Sequence, residues 1–217
     1  MPRPARDTDI RTYMADITLE NDANAALPLA AIRAALGHRS IVLVGMMGVG
    51  KSSIGRRLAA RLAIPFVDAD TEIEKAAGMS ISDIFARHGE ADFRSGEARV
   101  IARLLDNGPQ VLAAGGGAFM NEATRDGIKT KGVSIWLTAE FEVLMRRIVK
   151  RKNERPMLAT DDPAATLRHL LKVREPVYAL ADLTVQSREA PHDSIVGEIV
   201  TALAAFLNVP AAAEGSA

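Results

Sequence analysis

Residues 41–53 read IVLVGMMGVGKSS, and they determine how the rest of the chain is interpreted. The first four, IVLV, are β-branched or aliphatic, which is typical of a strand that is buried on both faces. The next eight, GMMGVGKS, match the spacing G-x-x-x-x-G-K-[ST] at every fixed position. Ile54, Leu58 and Leu62 then recur every four residues, as on the buried face of a helix. A strand, a glycine loop and a helix in this order predict a phosphate-binding loop.

This loop has the chemistry that a nucleoside triphosphate requires. Its glycines allow successive backbone N–H groups to point at phosphate oxygens, and the helix that follows adds the positive end of its dipole. The ammonium of Lys51 can bridge the β- and γ-phosphates, and the hydroxyl of Ser52 is small enough to coordinate Mg²⁺. The alternative is a glycine-rich turn that binds nothing, which the agreement of strand, helix and Lys-Ser pair disfavours.

Composition excludes several other classes of protein. The chain has 217 residues, with 27 Lys and Arg against 27 Asp and Glu, so no net field favours nucleic acid or an anionic membrane surface. It has no cysteine, which excludes disulfides, zinc–thiolate sites, iron–sulfur clusters and thiol nucleophiles. Charged residues interrupt every apolar run before a membrane span is reached, and residues 1–20 lack the apolar segment of a secretory signal. We therefore expect a cytoplasmic monomer without nucleic-acid or membrane partners.

Short apolar runs alternate with longer helical patterns through residues 40–207. This alternation predicts an α/β domain with a five-stranded parallel sheet and helices on both faces, which binds ligands at the carboxyl ends of its strands. Residues 1–39 are interpreted as a partly disordered extension and 208–217 as a disordered tail. One helical pattern, between Leu27 and Leu36, lies in the extension, and its docking on the domain stays open. The predicted strands are Ile41–Val44, Pro65–Val67, Val111–Ala114, Val133–Leu137 and Leu183–Val185, and the last predicted helix turns Ile195, Ile199, Leu203 and Phe206 to the core.

Other uses of a phosphate loop fit this sequence less well. Guanine-specific switches carry an N-K-x-D motif, which the sequence lacks. Motor ATPases have an apolar strand that ends in Asp-Glu, whereas the third predicted strand runs into Gly115-Gly116-Gly117. What remains is a small kinase whose second substrate carries a hydroxyl group.

Two carboxylates follow the second predicted strand, as Asp68-Ala69-Asp70. At positions i and i+2 of an extended strand, they would lie on the same face beside the phosphate loop. One could reach the Mg²⁺ shell, and the other could accept a hydrogen bond or a proton from the attacking hydroxyl. The alternative for Asp70 is to cap the helix that begins at Thr71, and capping and binding can coexist.

Three further segments are candidates for the acceptor site or a lid. Arg94, in a helical pattern with Glu97, could offer its planar fork to a carboxylate, although such arginines more often face solvent or pair within the helix. Gly115-Gly116-Gly117 would let backbone N–H groups approach a ligand, or would form a simple tight turn. The basic run Met145–Arg155 is either a solvated face or part of a lid over phosphates, at about residues 145–160.

Six segments in sequence order, GMMGVGKSS, DAD, DFR followed by Glu97, GGG, ERPML and VREPVY, resemble the shikimate kinase family over about residues 40–186. The resemblance implies a P-loop NTPase fold like that of the nucleoside monophosphate kinases. It also implies transfer of the γ-phosphate of ATP to the 3-hydroxyl of shikimate, in aromatic amino-acid biosynthesis, with ATP as co-substrate and Mg²⁺ as cofactor. Residues 1–39 and the tail have no counterpart in the pattern.

The resemblance further implies which residues serve the nucleotide and the metal. Ser52 would hold Mg²⁺ and Asp68 would support it. Arg147 and Arg151 are both candidates for the arginine on the adenine side, and the choice stays open. The residues implied to bind ATP are Gly48, Val49, Gly50, Lys51, Ser52 and Ser53, with the lid residue Arg155 near the phosphates.

For the acceptor, the resemblance implies a set of side chains suited to a polyol that carries a carboxylate. Asp70 would hydrogen-bond the hydroxyls and is the candidate base. Arg94 and Arg174 would bind the carboxylate, Gly116 would contact the substrate through its backbone, and Glu97 would position Arg94. The catalytic residues implied are Lys51, Asp70 and Arg155.

Two other functions stay open from the sequence. Another small-molecule P-loop kinase, acting on gluconate or a nucleotide, would share the fold, although the only tryptophan, Trp136, lies in a predicted buried strand rather than in a base pocket. A nucleotide-dependent binding module without turnover is the second alternative. The presence of Lys51, Asp68 and Asp70 favours an enzyme.

Overall fold

The computed structural model describes residues 29–150 and 162–210 of the chain. Across these residues, no helix has both the length and the hydrophobicity of a transmembrane segment. The strands are β1 Ser40–Val44, β2 Phe66–Asp68, β3 Val111–Ala113, β4 Gly132–Thr138 and β5 Leu183–Gln186. The α-helices are α1 Leu29–Leu36, α2 Lys51–Leu62, α3 Ala69–Ala77, α4 Ile81–Leu105, α5 Glu122–Lys131, α6 Phe141–Val149, α7 Pro163–Tyr178 and α8 His192–Phe206, and a 3₁₀ helix spans Ala118–Met120.

The five strands form one parallel sheet in the order β2-β3-β1-β4-β5. The connection from β1 to β2 runs toward one edge of the sheet, and the connections from β3 to β4 and from β4 to β5 run toward the other. Because such crossovers are right-handed, the two sets of helices lie on opposite faces. The predicted α/β fold is confirmed, and the bounds of every strand fall within one residue of those predicted.

The strand order places a ligand site between β1 and β3. These two strands are adjacent, and the connections that follow them run toward opposite edges of the sheet. This divergence opens a crevice at the carboxyl ends of the two strands. The phosphate loop follows β1 at Gly45, and the glycine turn follows β3 at Gly115. The sheet therefore brings together two loops that lie 70 residues apart in the chain.

The hydrophobic core includes side chains of the predicted domain and of the helix that precedes it. Ile54, Leu58 and Leu62 of α2 are fully buried, as their spacing predicts. Ile32 and Leu36 of α1 are buried in the same cluster, so this helix docks on the domain. The prediction for Phe206 is wrong, because this side chain is 40% exposed. It is the last residue of α8, where no further turn continues the buried stripe.

The backbone at Asp68 and Asp70 also differs from the prediction. β2 ends at Asp68 and the chain turns directly into α3, so Asp70 lies in the first turn of a helix rather than on a strand face. The cap of this helix is Asp68 and not Asp70, since the Asp68 carboxylate accepts a hydrogen bond from the Asp70 N–H at 3.2 Å. The physical reason is that the first N–H groups of a helix lack intrahelical partners, and a carboxylate one position earlier supplies one.

Candidate functional site

A cavity of about 670 Å³ opens where β1, β2 and β3 end. Residues from the loops after these strands form part of its wall, and helices α2, α3, α4, α6, α7 and α8 contribute most of the rest. Val49 does not line this cavity, because its side chain is buried in the core, and Arg155 lies outside the described residues. The predicted site residues that line it are Gly48, Gly50, Lys51, Ser52, Ser53, Asp68, Asp70, Arg94, Glu97, Gly116 and Arg174.

Two glycines give the phosphate loop its shape. Gly50 precedes α2 as its N-cap with φ of 101°, in the left-handed region that favours glycine. Gly45 has φ of 131°, and a Cβ at this position would collide with the backbone oxygen of Leu137. The loop thus passes close to β4 and directs the N-terminus of α2 at the cavity, where its N–H groups can face an anion.

The side chain of Lys51 folds back over this loop. Its Nζ donates hydrogen bonds to the carbonyl oxygens of Gly45 at 2.8 Å and Met46 at 3.2 Å. The ammonium is therefore half-buried and held against the loop rather than extended into solvent. This position keeps a cation beside the place where the N–H groups of the loop would receive phosphate.

Ser52 and Asp68 form the part of the site that suits a metal ion. The Ser52 hydroxyl donates a hydrogen bond to Oδ2 of Asp68 at 2.6 Å. Hydroxyl and carboxylate oxygens are ligands that Mg²⁺ prefers, and this ion usually keeps waters and substrate phosphates as its other ligands. Within residues 29–150 and 162–210, no three His, Cys, Asp or Glu side chains cluster into a metal site. The Ser52–Asp68 pair therefore fits a cation that shares its coordination with phosphate.

At the other end of the cavity, Arg94 is held by carboxylates on its own helix. Its Nη1 donates to Oε2 of Glu97 at 2.7 Å, and its Nη2 donates to Oε1 of Glu90 at 3.2 Å. The guanidinium is half-buried and lines the cavity. Arg94 can thus pair with carboxylates of its own helix and still face a ligand in the cavity.

Glu97 is the most deeply buried carboxylate of the site, with 2% of its surface exposed. Burial raises its pKa above the ordinary value, the hydrogen bond and charge of Arg94 oppose this rise, and the nearby charge of Asp70 adds to it. In the described part of the chain, its Oε1 has no hydrogen-bond partner. One oxygen of Glu97 thus fixes Arg94, while the other adjoins the glycine turn and Asp70.

The glycine turn packs tightly against these charged groups. A Cβ on Gly117 would lie 2.5 Å from Cζ of Arg94, and a Cβ on Gly115 would collide with Oε1 of Glu97. Gly116 has room for a Cβ, whose nearest neighbours would be Nη1 of Arg174 and the backbone of the phosphate loop, at 3.6 Å. The turn therefore has glycines because side chains occupy the space on either side of it.

Two groups on α7 hold the middle of this turn. Nη1 of Arg174 donates to the carbonyl oxygen of Gly116 at 3.2 Å, and the hydroxyl of Tyr178 donates to the same oxygen. Arg174 is buried except for 6% of its surface and still lines the cavity. Arg94 and Arg174 therefore line the same cavity from different helices.

Sequence reasoning missed part of the acceptor end of the wall. Phe85 lines the cavity beside Phe93, with their ring centroids 4.6 Å apart. Phe85 belongs to no motif, and its helix is interrupted at Gly89, where the backbone is not helical. The position of this ring depends on how the two halves of α4 pack, which local sequence does not reveal.

The nucleotide end of the cavity contains Arg147, Lys150 and His192. Nη1 of Arg147 donates to the carbonyl oxygen of Val49 at 3.2 Å and to Oγ of Ser187 at 3.0 Å, which ties α6 to the phosphate loop and to the segment after β5. Burial lowers the pKa of Arg147 from its usual value. Of the two arginines left open by the sequence, Arg147 lines the cavity and Arg151 lies outside the described residues. His192 and Ser187 carried no sequence signal.

The whole arrangement suits transfer of a phosphoryl group between two bound molecules. A loop of N–H groups and a lysine form one end, two arginines from different helices form the other, and Asp70 lies in the wall of the same cavity. A carboxylate beside an anion site can orient a hydroxyl nucleophile, and the arginines can hold a second anion.

Comparisons with known proteins agree on one family. The family model described as shikimate kinase matches residues 47–204. A shikimate kinase from Bradyrhizobium diazoefficiens is 64% identical over 190 residues, which is 85% of this chain and 91% of the relative. One from Rhodopseudomonas palustris is 60% identical, over 82% of this chain and 87% of the relative.

Solved structures of a shikimate kinase and of another small-molecule kinase share this fold. A shikimate kinase from Acinetobacter baumannii, solved in complex with shikimate, is 34% identical and has a TM-score of 0.76, with 80% of this chain and 97% of that chain covered. A gluconokinase from Sinorhizobium meliloti has a TM-score of 0.55 at 22% identity, over 78% of this chain and 94% of that chain. The second similarity is one of fold alone.

Proposed function

We propose that this chain, which belongs to the shikimate kinase family, transfers the γ-phosphate of ATP to the 3-hydroxyl of shikimate. The chain is an ATP-dependent small-molecule kinase of the pathway to aromatic amino acids, as its relatives indicate. The observation that carries the assignment of its residues is a single cavity that joins a phosphate loop to two arginines, with Asp70 in the same wall. The residue roles that follow are inferred from the family resemblance, and this geometry supports them.

At the nucleotide end, the loop from Gly48 to Ser53 binds the phosphates of ATP. Val49 contributes only its backbone, since its side chain is in the core. Lys51 leaves its carbonyl partners on the loop and moves to the β- and γ-phosphates, because a phosphate oxygen attracts an ammonium more strongly than a carbonyl does. Arg147 is the arginine on the adenine side.

Ser52 and Asp68 hold Mg²⁺ at the phosphates. Their oxygens, 2.6 Å apart, supply the donor types that this ion prefers, and Asp68 is fixed in addition by its bond to the first turn of α3. When bound, Mg²⁺ offsets negative charge on the β- and γ-phosphate oxygens. The cap at Asp68 and the metal site are thus one structural feature.

At the acceptor end, Arg94 and Arg174 bind the carboxylate of shikimate, and the glycine turn contacts its ring through the backbone at Gly116. Two guanidinium groups from different helices fix the direction of a planar carboxylate as well as its charge. Glu97 positions Arg94 with its bonded oxygen. Held in this way, the acceptor directs a hydroxyl at the γ-phosphate.

Asp70 accepts a hydrogen bond from the hydroxyl that reacts. The hydroxyl oxygen forms a bond to the γ-phosphorus while the bond from that phosphorus to the β–γ bridging oxygen breaks, so that ADP leaves. The hydroxyl proton passes to Asp70. Because the transition state of such transfers is loose in most analyses, orientation of the hydroxyl contributes more than its early deprotonation.

Some expectations stay predictions. Arg155 and most of the proposed lid lie in residues 151–161, outside the described residues, and the described part of the lid is the end of α6 and Lys150. The roles of Arg155 and of a lid at 145–160 are therefore inferred from the family resemblance. The domain limits, the monomeric state and the cytoplasmic location also remain inferences from the sequence.

A coupled assay of ADP release tests the proposed function. We expect release that depends on shikimate, and NMR of the product should show phosphate on the 3-oxygen. Release with gluconate or a nucleoside monophosphate in place of shikimate would assign a different acceptor. No release with any acceptor, from protein that binds ATP, would indicate a binding module instead.

The glycine turn gives a prediction about the acceptor. In Gly117→Ala the new Cβ lies where the Arg94 guanidinium is now, so the fork must move away from the carboxylate. We expect kcat/KM for shikimate to fall about 10- to 100-fold, because one hydrogen bond to a charged group is worth about 1.5–3 kcal/mol. The KM for ATP should be unchanged.

Gly127→Ala is the matched control for this variant. Gly127 lies within α5, and a Cβ there would meet only Cδ1 of Leu105, at an ordinary 3.6 Å. In steady-state kinetics, the two variants should differ in the KM for shikimate and not in the KM for ATP. Wild-type kinetics for Gly117→Ala would contradict the proposed contact between the Arg94 fork and the substrate.

A further inference from the structure

We propose that Tyr178 is a positioning residue for the acceptor, and that its hydroxyl, through the carbonyl oxygen of Gly116, sets the orientation of the glycine turn. This inference rests on the proposed function, because it assigns the turn to shikimate binding. Tyr178 does not line the cavity, and only 1% of its surface is exposed. Any effect on the substrate therefore passes through the groups that it contacts.

The contact joins distant parts of the chain. Tyr178 ends α7, and its hydroxyl donates to the carbonyl oxygen of Gly116, 62 residues earlier. Arg174, four residues before Tyr178 on the same face of the helix, donates to the same oxygen at 3.2 Å. A carbonyl oxygen has two lone pairs, and these two donors fill both. The peptide between Gly116 and Gly117 is thus held by one helix face.

The other carbonyl groups of the turn are held as well. The Gly115 oxygen accepts from the N–H of Ala118 at 3.1 Å, and the Gly117 oxygen accepts from the N–H of Met120 at 3.0 Å. Among the described residues, the N–H groups of Gly116 and Gly117 have no acceptor. In a trans peptide the N–H points opposite to the carbonyl, so fixing the carbonyls fixes these donors. They are the groups that the turn can offer to a ligand.

The tyrosine itself has little freedom to move. Its ring lies 6.0 Å from that of Trp136, centroid to centroid, and the indole carbon Cδ1 of Trp136 in turn approaches Gly45 of the phosphate loop. Burial raises the pKa of Tyr178 to about 12, so the phenol keeps its proton and remains a donor at neutral pH. A buried ring without a hydroxyl would fill this space equally well, and the hydroxyl is the feature that core packing does not explain.

The test is Tyr178→Phe, which keeps the ring and removes the donor. Arg174 still donates to the Gly116 oxygen, so this buried carbonyl group keeps a partner and the variant should fold. We expect the Kd and KM for shikimate to rise about 3- to 10-fold, the range for loss of one ordinary hydrogen bond. The KM for ATP should stay at the wild-type value. Emission of Trp136, the only tryptophan, allows the Kd to be measured without turnover.

Ser134→Ala is the control for loss of a buried hydroxyl. Oγ of Ser134 donates to Oδ2 of Asp182 at 2.6 Å, where β4 adjoins the chain before β5, and neither residue lines the cavity. This variant should have a lower Tm and an unchanged affinity for shikimate. If Tyr178→Phe also lowers the Tm and leaves the affinity for shikimate unchanged, Tyr178 is a structural residue and the inference is overturned.

The outcomes also separate this inference from the proposed function. A wild-type protein without shikimate-dependent ADP release would overturn the function itself. An active wild type, together with a folded Tyr178→Phe variant that has unchanged Kd and KM for shikimate, would overturn only the role of Tyr178. Equal losses of affinity for ATP and shikimate would also contradict it, because the groups that the hydroxyl contacts, the Gly116 carbonyl oxygen and the Arg174 side chain, belong to the acceptor end of the cavity.

Discussion

Replacement of Lys51 by alanine should lower kcat about 10³-fold or more, since a cation that stabilises transferring phosphate is worth about 10³–10⁵ in rate. Lys51 is the lysine that the phosphate loop itself holds, with Nζ against the carbonyl oxygens of Gly45 and Met46. The KM for shikimate should change much less, because its binding groups lie at the other end of the cavity.

The measurement is steady-state kinetics together with circular dichroism and thermal unfolding. Loss of the two hydrogen bonds to the loop should lower stability only slightly, because the ammonium is half-exposed and the carbonyl groups can bind water. Lys75→Ala is the control, since Lys75 lies outside the cavity in an exposed ion pair with Glu72, at 2.7 Å. Near-wild-type turnover of a folded Lys51→Ala variant would disprove the assigned phosphate site.

Replacement of Asp70 should distinguish orientation of the hydroxyl from proton transfer. Asp70→Asn keeps an oxygen that accepts a hydrogen bond but cannot take the proton, whereas Asp70→Ala removes both functions. If orientation dominates, the asparagine variant retains clearly more activity than the alanine variant. A strict general base is worth about 10²–10⁴-fold, so that role predicts equal, deep losses in both.

Asp70 is suited to this comparison by its position. It lies in the first turn of α3, where its backbone N–H bonds to Asp68 whatever its side chain is, so the metal-binding pair should survive both substitutions. Mg-ATP binding, measured separately, checks this point. Asp92→Asn is the matched control, because Asp92 is an exposed carboxylate that does not line the catalytic cavity. Equal losses in kcat with shikimate affinity preserved would make Asp70 the base in the strict sense.

The stretch at 41–53, together with the spacing of Ile54, Leu58 and Leu62 after it, was enough to predict the first strand, the phosphate loop and the helix that follows. Each of these depends on neighbours in sequence: apolar residues make the strand, glycines permit the turn, and a four-residue spacing makes the helix face. The same local logic found all five strands. The prediction that Phe206 is buried was wrong, because the spacing of apolar residues does not show at which residue a helix ceases to pack against the rest of the domain.

Local patterns also identified most residues of the site without revealing their contacts. Asp68-Ala69-Asp70 was recognised as a pair of acids, but the sequence favoured an extended strand where the chain starts a helix. Local patterns allow both backbones, and the structure has the helix, whose first turn is capped by the Asp68 carboxylate. The pairing of Arg94 with Glu97 could be predicted because both lie on one helix, three residues apart.

Contacts between distant segments had no sequence signal. Tyr178 reaches Gly116, and Arg147 reaches Val49 and Ser187, only because the parallel sheet aligns the carboxyl ends of strands that are far apart in the chain. Spacing in a sequence records neighbours along one helix or strand, whereas these hydrogen bonds depend on strand order and on helix packing. Residue types and local elements therefore follow from the chain itself, and the orientation of the glycine turn and the partners of Arg147 follow from the sheet that brings their segments together.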